Sequence, residues 1–351
     1  MLSLSQQLSK RVLGGGIYKC TVSSHFLNGS KQAFSSMTDS IQRAGNGGSA
    51  FFNFSDVGND VFRAHHLRSG SGTQTAVYGG LLFSQALAAA GKTVSSEYLP
   101  NALHSMFLLS ASPEHPIDYR VRRLRDGRSF CTRVVDAEQN GKVVFTCQIS
   151  FHIKEEGAIS HSTRMPDVPP PEELMSDVEG CRLFIQEEKD AKREIPKMQL
   201  IRMLKRVEEI EGDETVFEMR PTDLDAYFAL KPMVPQPFYF WFKCSQKLPD
   251  DLTLHRLLAC YITDSTLVSA AYRPHVSRGF VPSMMFSLDH NVWIHDTEFR
   301  ADEWMLYEVT SSVAKNGRAL SNAKFWTRDG RLVISAAQEC LIRSRDSVSR
   351  L

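Results

Sequence analysis

The chain has 351 residues, with 41 Lys and Arg against 40 Asp and Glu. That length suggests about two domains, each able to bury its own core, and the even charge argues against a nucleic-acid partner held on a basic face. The seven cysteines are scattered without a Cys-x-x-Cys pair, which fits buried free thiols better than disulfides or zinc; no apolar run reaches transmembrane length.

Residues 1–45 read as a poorly ordered leader, with Lys10, Arg11, Lys19 and Lys31 and no acid before Asp39. This composition fits a mitochondrial presequence, although an unstructured tail has the same statistics. A first unit is expected over 46–160. In it Gly79-Gly80 opens an alanine-rich helix, residues 81–92, that is apolar nearly all round and so buried. Several strands follow, up to residue 153. Met165-Pro166-Asp167-Val168-Pro169-Pro170-Pro171 then enters a stiff, charged connection over 161–231, with helix expected in 172–215.

A second unit is expected over 232–346. It starts near Pro232 with an aromatic strand at 238–243 and continues into a helix from Asp250-Asp251 to about Ala271, acids being favourable at a helix N-terminus. Strands between Met284 and Ile342 complete it. Residues 347–351 are a tail ending in Ser349-Arg350-Leu351, a conservative variant of the Ser-Lys-Leu peroxisomal address.

The two units copy one another at a spacing of 190 residues: Gly127-Arg128 aligns with Gly317-Arg318, Val143 with Val333 and Gln148 with Gln338. Asn140-Gly141 and Asp329-Gly330 sit between apolar runs in corresponding places, and both dipeptides supply the positive φ of a tight hairpin. One helix against a long antiparallel sheet, twice over, is an α+β pattern. Side by side, the two sheets would form one continuous surface with both helices inside its curve. A difference between the copies then marks where chemistry sits.

Two residues break the pattern. Asp264 falls within an apolar stripe of the second helix made by Leu257, Cys260, Tyr261, Leu267, Val268 and Ala271, and the sister helix has no acid at all. A carboxylate there is costly to bury unless hydrogen-bonded, so it is either a functional group or an aspartate satisfied at a helix kink. Gln338 shares one strand face with Leu332, Ile334, Ala336, Cys340 and Ile342 and needs partners there. Its repeat partner Gln148 keeps a purely structural amide open as the alternative. Between them Ser287-Leu288-Asp289-His290 invites a serine-hydrolase reading, which is weak because neighbouring strand residues face opposite ways and no Gly-x-Ser-x-Gly elbow is present.

That phrase, with Phe299-Arg300-Ala301-Asp302-Glu303-Trp304, Thr327-Arg328-Asp329-Gly330-Arg331-Leu332-Val333 and Ala337-Gln338-Glu339, closely resembles the type II acyl-CoA thioesterase family. The first half agrees through Tyr78-Gly79-Gly80, Gln85-Ala86-Leu87-Ala88-Ala89-Ala90, His104-Ser105-Met106-Phe107 and Leu124-Arg125-Asp126-Gly127-Arg128-Ser129-Phe130. Peroxisomal members look nearest. The resemblance implies a double hot dog, each unit wrapping a sheet around one helix, and a hydrolase of acyl-CoA thioesters. It implies catalytic roles for Asp264, Ser287 and Gln338, and substrate contacts at Gly79, Gly80 and His104. The chain departs from the family at Thr73-Gln74-Thr75-Ala76-Val77, where members more often carry an Arg before the glycine pair.

For a thioester carbonyl the expected chemistry is a water whose proton goes to Asp264 while Ser287 and Gln338 orient it. Backbone N–H groups near Gly79-Gly80 would stabilise the oxyanion. The expected partners are the acyl-CoA substrate, a peroxisomal import receptor reading Ser349-Arg350-Leu351, and further copies of the chain in a homo-oligomer. No metal or redox cofactor is implied. Two rivals stand beside this: an enoyl-CoA hydratase on the same fold, for which Asp60 and His65 offer an Asp-x4-His spacing, and a non-catalytic acyl-CoA binder.

Overall fold

The computed structural model describes residues 48–70, 75–211 and 215–344. The leader 1–45, Thr73-Gln74 and the C-terminal Ser349-Arg350-Leu351 lie outside them. The first unit runs β1 (Phe54–Gly58), β2 (Val61–Ala64), α1 (Gly79–Gly91), β3 (Tyr98–Phe107), β4 (Ile117–Asp126), β5 (Phe130–Gln139) and β6 (Lys142–Ile153). Helices α2 (Asp177–Lys189) and α3 (Lys197–Glu211) fill the charged connection. The second unit follows with β7 (Phe217–Pro221), a short α4 (Leu224–Tyr227), β8 (Phe238–Cys244), α5 (Leu252–Thr263) and α6 (Leu267–Val276). It closes with β9 (Met284–Ser287), β10 (Asp289–Ile294), β11 (Met305–Lys315), β12 (Arg318–Thr327) and β13 (Leu332–Arg343).

All these strands form one sheet whose halves run in opposite order from a central seam, β1-β2-β4-β5-β6-β3 joined to β10-β13-β12-β11-β8-β7, with β9 pairing β13. The seam is antiparallel, with His290 opposite Ser105 and Asn291 opposite His104. Hairpin chemistry fixes the ladders. Asn140-Gly141 (φ 53° and 73°) and Asn316-Gly317 (φ 55° and 73°) carry positive φ at both central positions, as a twist-matched two-residue turn requires.

The sheet wraps α1 and α5, and a single apolar core runs through both units, from Phe83, Leu103 and Phe145 to Leu258, Tyr307 and Phe325. Glycine lets the two helices touch: a Cβ on Gly80 would lie 2.1 Å from the Tyr261 carbonyl oxygen. The Tyr78 hydroxyl donates to the same carbonyl at 3.1 Å. Helix α2 starts with a capping box between Ser176 and Glu179 and packs on α3 through Cys181, Phe184 and Met203. Buried Asp177 is paired there with Arg206 at 2.7 Å.

Three expectations change. The sheet of the second unit begins at β7, upstream of Pro232, because Phe217–Pro221 pairs along β8. The helix expected from Asp250 to Ala271 is two helices, broken at Asp264. Gln148, the repeat partner of Gln338, is exposed between buried Cys147 and Ile149, whereas Gln338 is buried with Ala336 and Cys340. A one-residue change of register reverses the inward face of a strand, and the bulged residue is Val144 in β6, four before Gln148, but Val333 in β13, five before Gln338.

Candidate active site

Helix α5 opens on Asp251, whose side chain accepts from the Thr253 N–H, and ends on Thr263-Asp264-Ser265-Thr266. Side chains of this kind bond to nearby backbone and so compete with helix. The Thr263 hydroxyl lies 2.6 Å from the Cys260 carbonyl oxygen, and the Ser265 N–H returns to the Ile262 carbonyl at 3.0 Å. Asp264 thus becomes the C-cap of α5, nearly buried at 9% exposure.

Strand pairing brings the other two residues to it. β9 lies antiparallel on β13 with Ser287 opposite Cys340, beside Gln338. The Ser287 hydroxyl donates to Asp264 Oδ1 at 3.3 Å, and Gln338 Nε2 donates to Ser287 Oγ at 2.8 Å. The first unit supplies the opposite wall. The Gly80 N–H favours the charged form of the Asp264 carboxylate, and a Cβ on Gly79 would fall 2.6 Å from Asp264 Oδ2 and 3.0 Å from the Phe107 ring. Only glycine leaves room for the start of α1, with its partial positive charge, to sit against the carboxylate.

Burial pushes the Asp264 carboxyl up to about 6, while hydrogen bonds from Gln338, Ser287 and Gly80 hold it down. It is therefore ionised at neutral pH yet close enough to neutrality to exchange a proton readily. Behind it stands His290 on β10, fully buried, its Nε2 2.7 Å from Thr263 Oγ1 and its ring edge-on to Phe83 at 4.7 Å. Burial pulls the His290 imidazole down to about 4, so the ring is neutral. The Tyr307 hydroxyl donates to the Thr263 carbonyl at 2.6 Å. Thr263 and Tyr307 were not singled out from the sequence, and His290 entered there only through the weak serine-hydrolase reading; adjacency to Asp264 was the available signal for Thr263.

Of the residues read from the sequence, Asp264, Ser287, Gln338, Gly79 and Gly80 converge. His104 does not. It is exposed on the outer sheet face, with Nδ1 3.2 Å from Asn291 Oδ1 and its ring against Trp293 at 5.4 Å, because strand alternation turns it away from buried Leu103 and Ser105. The Asp-x4-His pair also fails to form a site. Asp60 sits on the β1–β2 turn, held by Arg123 at 2.7 Å, and His65 contacts Ser55 at 3.2 Å. Nor does Ser287 have a histidine base, since its hydroxyl meets the carboxylate directly.

A buried carboxylate flanked by a hydroxyl, an amide and a helix N-terminus, at the junction of two helix-wrapping units, marks a double hot-dog hydrolase. Known proteins agree. The acyl-CoA thioesterase N-terminal domain model matches residues 67–152 and the C-terminal domain model residues 204–342. Acyl-coenzyme A thioesterase 8 of Rattus norvegicus is 35% identical over 298 residues, covering 85% of this chain and 89% of the relative. Acyl-CoA thioesterase 2 of Haemophilus influenzae is 29% identical over 269 residues, covering 76% and 87%. Among solved structures, the acyl-CoA thioesterase II TesB2 of Mycobacterium marinum superimposes with a TM-score of 0.65 at 31% identity, over 84% of this chain and 97% of that one. The chain belongs to the acyl-CoA thioesterase family and is a hydrolase of acyl-CoA thioesters.

Proposed function

We propose that Asp264, Ser287 and Gln338 hydrolyse fatty acyl-CoA to free fatty acid and coenzyme A by activating a water, with no covalent acyl-enzyme. The observation that carries this reading is the Asp264 carboxylate, buried at the junction of the two units, hydrogen-bonded by Ser287 and with the start of α1 against it. Water adds to the thioester carbonyl carbon while Asp264 takes its proton. Ser287 and Gln338 hold the water in line, and N–H groups at the start of α1 stabilise the oxyanion. When the C–S bond breaks, the leaving thiolate takes the proton from Asp264, which is then ready for another turnover. The test is thiol release across an acyl-CoA series from short to very long chains, with Asp264→Asn as the control. Hydration of an enoyl-CoA without thiol release would favour the hydratase rival instead, and binding without either reaction would favour the non-catalytic one.

The reading extends to the compartment. Ser349-Arg350-Leu351 acts as an address for the peroxisomal import receptor, and a relative from Saccharomyces cerevisiae, 25% identical over 298 residues, is named peroxisomal acyl-coenzyme A thioester hydrolase 1. Deleting the tripeptide should release the enzyme from peroxisomes with its activity in vitro unchanged. If removal of residues 1–38 relocates it instead, the mitochondrial alternative holds. The reading also includes a homo-oligomer, which the exposed Met106 and Trp293 on the outer sheet face favour; a monomer mass by sedimentation would count against it.

A further inference from the structure

The buried polar groups around Gln338 are one hydrogen short. The β10–β13 ladder pairs Asn291 with Ala337 and Val292 with Ala336. One more step along that antiparallel register sets His290 opposite Gln338, and both side chains are buried on the inner face. Burial pulls the His290 ring down to about 4, and Gln338 is near enough to push the other way. The Thr263 hydroxyl donates to the Cys260 carbonyl at 2.6 Å and lies 2.7 Å from His290 Nε2. The single hydrogen of the neutral ring is therefore on Nε2, directed at Thr263 Oγ1. Nδ1 is left as a bare acceptor, and both it and Gln338 Oε1 are buried without a hydrogen-bond partner.

These groups make a row of contacts: Asp264 with Ser287, Ser287 with the Gln338 amide, and the amide with the His290 ring. While Asp264 is ionised, both ends of the row are acceptors. The Ser287 hydroxyl and the amide NH2 supply one hydrogen each. They close the first two contacts and leave the amide oxygen against Nδ1. A hydrogen on Asp264 allows all three contacts to close, provided the amide is reversed. The two ends of an amide are nearly equal in shape, so packing does not oppose the reversal.

We propose that the Gln338 amide flips when Asp264 takes the proton from water: the carboxyl then donates to Ser287 Oγ, Ser287 to the amide oxygen, and the NH2 group to His290 Nδ1. His290 is thus a positioning residue, the acceptor that ends the row and favours the protonated carboxyl. The proposal rests on the catalytic reading of Asp264, Ser287 and Gln338. The water proton stays on Asp264 until the leaving thiolate removes it, and the amide then returns; every other hydrogen keeps its own heavy atom throughout. The titratable groups bearing on Asp264 are Tyr78 before α1, Tyr261 on α5, Tyr307 on β11 and Cys340 on β13, with His290 behind Gln338. Burial keeps the protons on the three tyrosines and the cysteine and keeps the imidazole neutral, so Asp264 alone changes charge among them near neutral pH.

The experiment measures kcat/KM against pH on one long-chain acyl-CoA, and the melting temperature, for His290→Phe and His290→Gln. Each is made in the parent and in the Gln338→Ala background. Phe keeps a ring against Phe83, Gln keeps a donor for Thr263, and both remove the Nδ1 acceptor. Losing that acceptor disfavours the protonated carboxyl. Both variants should therefore move the acid limb to lower pH, by about 0.5 to 1, and lower kcat by about 3- to 10-fold. In the Gln338→Ala background the further movement should be less than about 0.2, because the residue acts through that amide. A merely structural histidine would lower the melting temperature and leave the limb in place, and a ring that donates from Nδ1 would send the limb to higher pH; either result overturns the proposal. If neither variant folds, the nitrogen-15 shifts of His290 in the parent protein decide: a bare Nδ1 between about pH 5 and 8 supports the proposal, and a protonated Nδ1 overturns it. If Gln338→Ala alone retains the parent kcat, the catalytic reading falls and the flip falls with it, whereas a crippled Gln338→Ala with an unmoved limb in both His290 variants removes the flip only.

Discussion

Replacing Asp264 by Asn should make the protein more stable and nearly inactive at the same time. The folded-state carboxyl titrates at about 6 against a reference of 3.8. Between those values the folded chain binds the proton and the unfolded chain has lost it, so stability falls as pH rises from about 4 to 6. Above that window the ionised carboxylate costs the fold about 3 kcal/mol, at about 1.4 kcal/mol for each pKa unit. Below about pH 4 both states carry the proton and the cost is absent. Asn does not ionise. Allowing for a poorer fit to the Ser287 and Gly80 donors, the variant should gain about 1–3 kcal/mol at pH 8, or about 1–4 °C in Tm, and nothing at pH 4. Hydrolysis should fall by about 10² to 10⁴, the range for a lost general base. In the parent, kcat/KM should drop on the acid side with a midpoint near 6, the pH at which the base takes up its proton. Scanning calorimetry at pH 4 and pH 8, with a thiol-trapping assay, measures both halves. A folded Asn variant that turns over near the parent rate, or one that melts lower than the parent at pH 8 but equally at pH 4, would refute the reasoning.

Gln338→Ala should lower kcat by about 10- to 100-fold, while Gln148→Ala, on an exposed outer face, stays within about 2-fold of the parent; equal losses at unchanged stability would contradict the single-site asymmetry. Ser287→Ala removes a hydrogen bond that favours the Asp264 carboxylate, so the acid limb of kcat/KM should move to higher pH; a pH–rate profile with an unmoved limb would show that the hydroxyl does not touch the charge. Gly79→Ala places a methyl group 2.6 Å from Asp264 Oδ2. The carboxylate must move, and kcat should fall by about 10²-fold with a lower Tm; an Ala variant with parent kinetics would mean that the start of α1 is not the wall of the site.

Asp264 was legible because a carboxylate in an apolar helical stripe is expensive and its sister helix has none. What it does to the helix was not. The stripe assumed an unbroken period through Thr263-Asp264-Ser265-Thr266, a run whose short polar side chains favour a stop. Gln338 was legible by alternation alone, but the repeat hid its distinctness. A sequence offset carries no record of where a ladder bulges, so Gln148 looked equivalent while facing the other way. His104 entered through a family phrase, not through its strand, where alternation with buried Leu103 and Ser105 turns it outward. The phrase Phe299-Arg300-Ala301-Asp302-Glu303-Trp304 is specific and yet lies outside the site. There Arg300 pairs with Asp302 at 3.0 Å, Asp302 accepts the Leu248 N–H at 3.0 Å, and burial of Phe299 and Ala301 anchors the loop. Such a phrase identifies a family through its framework.

The duplicated fold gives a physical reason for the single site proposed at Asp264 in a chain with two helix-wrapping units. At the end of α1, the Thr93 hydroxyl donates to the Ala90 carbonyl at 2.8 Å, as Thr263 approaches that of Cys260 at the end of α5. The residue after Thr93 is Val94, where the second copy has Asp264. In place of a carboxylate and its donors, the first copy buries Arg133, whose Nε donates to Thr93 Oγ1 at 2.9 Å and whose guanidinium is paired with Asp126. That arrangement offers no base. The first unit instead contributes its other helix end, where Gly79 and Gly80 bring α1 against Asp264. A base needs burial to raise its pKa and a positive dipole to remain ionised at neutral pH. One helix cannot present its C-cap and its N-terminus at the same point, so two antiparallel helices from two copies are the smallest arrangement that supplies both.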